Sequence, residues 1–391
     1  MNPIKLTYNN LNKNDINSLI EWLKTEPQLT KGEQTIKFEE SFSKYIGCKY
    51  SVMVNSGSSA NLAMLSVLKL SELKNNKVVV PSVSWSTTVS PVIQLGYDPI
   101  LCDCELENLG VDINKLEYTF KKYNPSILLI VHALGFPCKM DEIKYLCDLY
   151  NVILLEDSCE TLGSEYKNIK TGNFGLMSSF SLFWSHHIST IEGGIVCTDS
   201  IDMYNKLKMV RSHGWSRDVS SEYRNKLKID NTINDFNELY TFYYPGYNIR
   251  STDLQAYLGI LQLEKINDIV KIRYENFKTY QYYFDNNFWK IDPDNKSNII
   301  SNFAYPIIHP WRKKIINILK ENNIECRPLI CGSMSKQPFY TQYYKNENVK
   351  NAELIHDYGL YIPNHLELTK ENIKFICKLI NSVICTYHEE Y

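Results

Sequence analysis

Four short runs of aliphatic residues, Val78–Val80, Ile127–Val131, Val152–Leu155 and Ile195–Thr198, recur between stretches of helical spacing. Strands so uniformly apolar leave no face for water. They fit a mostly parallel sheet covered by helices on both sides, and the alternation predicts a layered α/β domain. Upstream, Ile16, Leu19, Ile20 and Leu23 share one helical face within Asn14–Leu23. Phe38, Phe42, Tyr45 and Ile46 repeat that pattern in a second helix, ended by Gly47. The polar stretch Asp218–Glu238 predicts a long loop. Beyond Lys265 the texture changes, with helices expected over Ile272–Phe284, Lys313–Asn322 and Lys370–Val383 and a strand over Asn302–Ile307. The expected division is an N-terminal segment plus a large α/β domain over residues 1–264, and a smaller α+β domain over 265–391.

A chain of 391 residues suits one large domain and one smaller one. A net charge of −2 gives no electrostatic case for a nucleic-acid or anionic-membrane partner. Eleven cysteines without paired CxxC spacing predict no metal site, and free thiols in a reducing cytoplasm. The start, Met1-Asn2-Pro3-Ile4-Lys5, lacks signal-peptide architecture. Two uncharged runs, Val78–Tyr97 and Thr171–Ile191, approach the length of a membrane span. Both are rich in Ser, Thr, His or Pro, which reads as buried core beside a site.

Several motifs carry chemistry. Ser56-Gly57-Ser58-Ser59 follows the strand Val52–Val54 and opens a helix running through Leu70; it serves either as a simple cap or as a phosphate cradle. Glu156-Asp157-Ser158-Cys159-Glu160 puts carboxylates at the carboxyl end of a buried strand, where open α/β sheets bind ligands. Trp85 follows another strand end, placed either to stack on a planar ring or to pack in the core. Arg211–Arg217 and Tyr244–Arg250 gather arginines, His213 and a Pro-Gly turn, suited to phosphates or to surface charge. Finally, Ser179–Gly194 contains the pair His186-His187 ahead of Glu192-Gly193-Gly194, with no Lys or Arg from Thr171 to Asn205.

In this order the motifs resemble, from about residue 25 to 385, the DegT/StrS-type family of pyridoxal-phosphate sugar aminotransferases. The resemblance implies an aspartate-aminotransferase-like fold, that of the fold type I pyridoxal-phosphate enzymes, with a mostly parallel central sheet. It further implies that Gly57, Ser58 and Ser181 hold a cofactor phosphate, that Trp85 stacks on the ring, that Asp157 meets the pyridine nitrogen and that Glu160 lies beside it. In that family a lysine binds the cofactor covalently; here His186 falls on its position. Histidine moves protons but cannot hold a cofactor covalently in this way.

The variant is similar to a lysine-less branch that removes the C3 hydroxyl of nucleotide-linked 4-keto-6-deoxy sugars, GDP-linked mannose foremost. The implied cofactor is pyridoxamine 5′-phosphate, interconverting with pyridoxal 5′-phosphate, and glutamate is the implied amino donor. His186 would be the base and His187 a structural group. His213, Arg217 and Arg250 would bind substrate. Asn248 and Arg250 would reach a neighbouring subunit's site, implying a homodimer with shared active sites. Three alternatives stand beside this reading: the same chemistry on another nucleotide sugar such as a heptose, a cofactor-binding protein without turnover, and an iron–sulfur branch. The last needs cysteines after the histidine segment, and none lies between Cys197 and Cys326.

Overall fold

The computed structural model describes residues 3–285, 289–344 and 348–390. Its centre is a seven-stranded sheet built from β1 (Tyr50–Val54), β2 (Lys77–Pro81), β3 (Asp98–Cys102), β4 (Ile127–Val131) and β5 (Ile153–Asp157), followed after a two-residue-strand hairpin, β6 (Glu165–Tyr166) and β7 (Ile169–Lys170), by β8 (Met177–Ser181) and β9 (Gly194–Thr198). The order is β1-β9-β8-β5-β4-β2-β3. Strands β2, β3, β4, β5 and β8 run parallel.

Side chains on β2, β4 and β5 alternate between two cores. Val79, Leu128, Ile130 and Leu154 join Phe120 and Ile143 on one face. Val78, Val80, Ile127 and Leu129 join Leu65 and Val67 on the other. Both faces are therefore dry, which is why these strands read as unbroken aliphatic runs. The second core continues into the C-terminal layer through Ile307, Ile362 and Ile373.

Two expectations are corrected. β9 is antiparallel to both β1 and β8, not part of the parallel set. It returns directly from β8 through residues 182–193 with no crossover helix, and a direct return must reverse direction; aliphatic content carries no sign of strand direction. Within the polar stretch expected to be a loop, Ser221–Asp230 is a helix. The Ser220 side chain caps it by accepting from Tyr223 N. None of its residues is buried, so it has no apolar stripe to announce it.

The helices Glu33–Ile46, Gly57–Lys69 and Ile266–Tyr283 lie where helical spacing was read or extend it. The first stops at Gly47 with φ +96°. After residue 296, β10 (Ser297–Ile299) pairs back with β6, and β11 (Tyr305–Ile308), β12 (Arg327–Pro328) and β13 (Gly359–Ile362) form a separate antiparallel sheet ordered β11-β13-β12. The helix Lys13–Leu23 packs on Asp253–Leu263, with Trp22 stacked on Tyr257 at 4.7 Å. Ahead of that helix, Ile4 bridges to Ile324, tying the first residues to the C-terminal layer. No helix among the described residues is long and apolar enough to cross a membrane.

Candidate active site

The carboxyl ends of β1, β5 and β8 open onto a cavity of about 290 Å³. β1 delivers Ser56, whose side chain caps the helix Gly57–Lys69 by accepting from Ser59 N at 3.0 Å. The same serine is thus both cap and cavity wall, and the free N–H groups of that helix start face the cavity where an anion is favoured. A Cβ on Gly57 would lie 2.8 Å from Ser181 Cβ and 3.0 Å from Cys159 Sγ, so only glycine lets β8 approach this closely. Ser58 donates to Thr87 across the cradle, Oγ to Oγ1 at 2.8 Å.

β5 ends on Asp157, which is buried. Its Oδ2 accepts from Asn61 Nδ2 at 2.7 Å and Thr88 Oγ1 at 2.8 Å, and its Oδ1 from Cys159 N at 3.2 Å. Asn61 is itself aimed by Ser179, which donates to Oδ1 at 2.6 Å. The described residues offer Asp157 no ion pair, so a buried carboxylate stands on the cavity wall without a cation. Such a group is poised for a protonated ring nitrogen. Glu160 accepts from Leu134 N at 2.7 Å, and loss of solvent raises its carboxyl to about 7. The adjacent Glu156 does different work: it is fully buried, and its two oxygens take His132 Nε2 and the N–H groups of Gly172, Phe174 and Gly175. It braces the turn into β8 and does not line the cavity.

The histidine pair rides on the β8–β9 connection, closed by Leu182 N to Gly193 O at 2.9 Å and Thr190 N to Leu182 O at 2.9 Å. His186 faces the cavity. Its Nδ1 lies 2.7 Å from the Cys159 carbonyl, which can only accept, so Nδ1 carries the proton and Nε2 is left as an unprotonated base. Among the described residues Nε2 has no hydrogen-bond partner. Desolvation, followed by the positive field of Arg273, lowers its pKa to about 4, so the ring is neutral at pH 7. Phe303 packs against the ring with centroids 5.0 Å apart. His187 turns away: it is buried, bonds the Ser301 carbonyl through Nε2 at 2.7 Å and does not line the cavity.

Gly57, Ser58, Trp85, Asp157, Glu160, Ser181 and His186 all line this one cavity. Trp85 is 57 % exposed, which rules out a core role. Asn61, Thr87, Thr88, Glu192, Phe303, Arg327 and Tyr361, to which the sequence reading gave no site role, share the walls. Asn61 lies one helical turn after Ser58, within reach of a spacing argument; Arg327 and Tyr361 come from the distant C-terminal sheet and Phe303 from the bend just ahead of it. Among the described residues no lysine lines the cavity, and Arg327 is the only arginine there.

His213, Arg217, Asn248 and Arg250 do not reach it. They form a separate patch in which the Arg217 guanidinium lies 4.0 Å from the Trp215 ring centroid and 4.8 Å from that of Tyr240, while Arg250 donates to Asn248 Oδ1 at 3.1 Å. The patch is strapped backbone to backbone, His213 N to Tyr247 O at 2.7 Å and Tyr243 N to Gly214 O at 2.9 Å. Any side chain at Gly214 would run into the Tyr244 carbonyl.

Comparison with known proteins agrees with this geometry. The model of the DegT/DnrJ/EryC1/StrS aminotransferase family matches residues 9–381. The chain belongs to that family. It is 34 % identical over 378 residues to GDP-4-keto-6-deoxy-D-mannose 3-dehydratase of Escherichia coli O55:H7, covering 93 % of this chain and 95 % of that protein. A Yersinia pseudotuberculosis protein of the same name is 34 % identical over 363 residues, 90 % of this chain and 91 % of that one. The solved E. coli GDP-4-keto-6-deoxy-D-mannose 3-dehydratase with bound hydrated pyridoxal phosphate superposes with a TM-score of 0.88 at 32 % identity, covering 97 % of this chain and 99 % of that chain. A histidine-to-asparagine mutant of that enzyme type holds GDP-perosamine and also scores 0.88 at 32 % identity, over 96 % of this chain and all of that one. The fold is thus that of the fold type I pyridoxal-phosphate enzymes.

Proposed function

We propose that the protein is a lyase that uses pyridoxamine 5′-phosphate to remove the C3 hydroxyl of GDP-4-keto-6-deoxymannose. The products are a 3-deoxy-4-keto sugar and ammonia, with glutamate as the amino donor. The observation that carries this reading is His186: a neutral imidazole with a free Nε2 stands on a cavity to which the described residues bring no lysine.

The residues present fit the cofactor. The helix start at Gly57, with the hydroxyls of Ser58 and Ser181, suits its phosphate. The unpaired Asp157 suits its ring nitrogen, and the exposed face of Trp85 suits its ring. When bound, pyridoxamine phosphate supplies an amine for the C4 ketone and a ring that accepts electrons as the C3 hydroxyl departs. His186 does the proton work. Its Nε2 accepts a proton on the cavity side and passes it to the leaving C3 oxygen, while the Cys159 carbonyl keeps the ring in the required tautomer. Without a lysine amine there is no group to displace the product, so the nitrogen leaves by hydrolysis.

The patch of His213, Arg217, Asn248 and Arg250 supports a homodimer in which one copy's patch serves its neighbour's cavity, Asn248 toward the cofactor and the two arginines and His213 toward the substrate. Its aromatic members are open to contact, Tyr240 being 73 % exposed and Phe242 55 %. Free thiols and the soluble substrate fit a cytoplasmic setting.

The deciding experiment incubates the protein with GDP-4-keto-6-deoxymannose, pyridoxamine phosphate and glutamate and reads the product by mass spectrometry. Loss of the C3 oxygen with release of ammonia is expected. A 4-amino product, or an unchanged sugar, overturns the reading.

A further inference from the structure

Away from the catalytic cavity two thiols meet. Cys48 follows Gly47 in the turn between the helix Glu33–Ile46 and β1, and Cys197 lies on β9 opposite Ser51 of β1. Their side chains hydrogen-bond to one another and pack with Phe42 and Met53. Cys197 is buried. Cys48 is half-buried and lines a cavity of about 750 Å³ beside Lys44 and Lys49. One sulfur is therefore open to a small solute, and the other stands directly behind it.

Among the described residues four cysteines are half-buried: Cys48, Cys159, Cys326 and Cys331. Burial pushes the last three up, Cys159 well above its ordinary value and Cys331 to about 12. Cys48 goes the other way. The hydrogen bond from Cys197, helped by Ser43, outweighs loss of solvent and the charge of Asp199 and holds its thiol below the ordinary value. The thiolate is the form that oxidants attack, so exposure and acidity single out the same sulfur.

We propose that Cys48 and Cys197 form a peroxide-sensitive dithiol that closes to a disulfide. The Cys48 thiolate attacks one oxygen of hydrogen peroxide; an S–O bond forms, the O–O bond breaks, and hydroxide leaves and takes up a proton as water. The Cys197 sulfur, giving up its proton, then attacks Cys48 Sγ; the S–S bond forms, the S–O bond breaks, and a second water leaves. The two thiols lose two electrons and two protons, and the peroxide gains both as it becomes two waters. Added thiol reverses the bridge by exchange. The bridge ties the turn entering β1 to β9, the strand pair behind the phosphate cradle: β1 runs into Ser56, and a Cβ on Gly194, at the head of β9, would meet the Ser56 carbonyl. Oxidation thus fastens that pair while Cys159, the thiol on the catalytic cavity, stays reduced.

The test exposes the whole protein to hydrogen peroxide in slight excess, denatures it in iodoacetamide and maps its peptides by mass spectrometry with and without dithiothreitol. The expected result is a linked pair of peptides carrying Cys48 and Cys197, lighter by two hydrogens and separated by dithiothreitol, with Cys159 fully alkylated. Cys48→Ser is expected to abolish the link and return Cys197 to alkylation. Cys197→Ala is expected to leave Cys48 as a sulfenic acid that dimedone captures. Full alkylation of Cys48 and Cys197 in peroxide-treated unmodified protein overturns the proposal, and so does oxidation of Cys159, Cys326 or Cys331 ahead of the pair. Both of those readings come from the unmodified chain, so they decide the matter even where a variant fails to fold.

Discussion

His186 donates its Nδ1 proton to the carbonyl of Cys159, 2.7 Å away, on the turn that follows Asp157. The strand that ends on Asp157 therefore also leads into the turn that fixes the tautomer of the His186 ring. Replacing His186 by Asn is expected to lower the rate of C3 deoxygenation by about 10²–10⁴-fold, the usual worth of a positioned general base, while cofactor binding persists. Product mass spectrometry with absorbance of the bound cofactor checks both halves.

The pH dependence follows from the same ring. A His186 pKa lowered to about 4 leaves Nε2 unprotonated across the neutral range. The acid limb of kcat/KM that belongs to this group is expected near pH 4, below the ordinary histidine value of about 6.5. An acid limb at the ordinary value in wild-type protein, lost in His186→Asn, contradicts the burial described.

Glu160 titrates the other way. Its carboxyl is raised to about 7 by desolvation, so the folded chain holds a proton that the unfolded chain releases near 4.5. That contribution to stability is full below about pH 4.5 and disappears as pH climbs through 7. In cofactor-free protein, the melting temperature of wild type is expected to fall relative to Glu160→Gln between those two pH values.

Gly57→Ala places a methyl 2.8 Å from Ser181 Cβ. Strand β8 must retreat from the helix start, widening the phosphate cradle. Cofactor affinity is expected to fall at least tenfold with the fold retained, read by equilibrium dialysis and circular dichroism.

Arg211 and Glu39 form a buried ion pair at 2.6 Å, and Arg211 also donates to the Met53 carbonyl at 2.8 Å. Arg211→Met leaves Glu39 buried without its cation. A loss of about 3–5 kcal/mol in denaturant unfolding is expected, with Glu39→Gln, Arg211→Met recovering part of it as a double variant.

The sequence made the dry sheet legible because period-two burial on both faces leaves only aliphatic residues. It made the cavity's near wall legible for a related reason: Gly57, Asp157 and His186 each sit at a strand end, where one short motif fixes both position and chemistry. Phe303, Arg327 and Tyr361 were given no site role, since they enter from the C-terminal layer, Phe303 just ahead of β11 and the others on β12 and β13, and no local spacing records that approach. The direction of β9 and the helix Ser221–Asp230 were missed because direction is set by the connection and a helix exposed on all sides has no stripe. Asn61, by contrast, lay within reach of a one-turn spacing argument from Ser58.

The buried Asn10 amide donates to the carbonyls of both His186 and His187, at 2.6 and 3.1 Å, and Gln262 holds Asn10 in turn through its carbonyl at 3.1 Å. The segment ahead of Lys13 thus grips the peptide that carries His186 and His187. The contact joins positions 176 residues apart, so it closes only once the β8–β9 connection is in place. Removing the residues ahead of Lys13 would release the backbone of both histidines, so a segment far away in sequence sets how firmly the His186 ring is held.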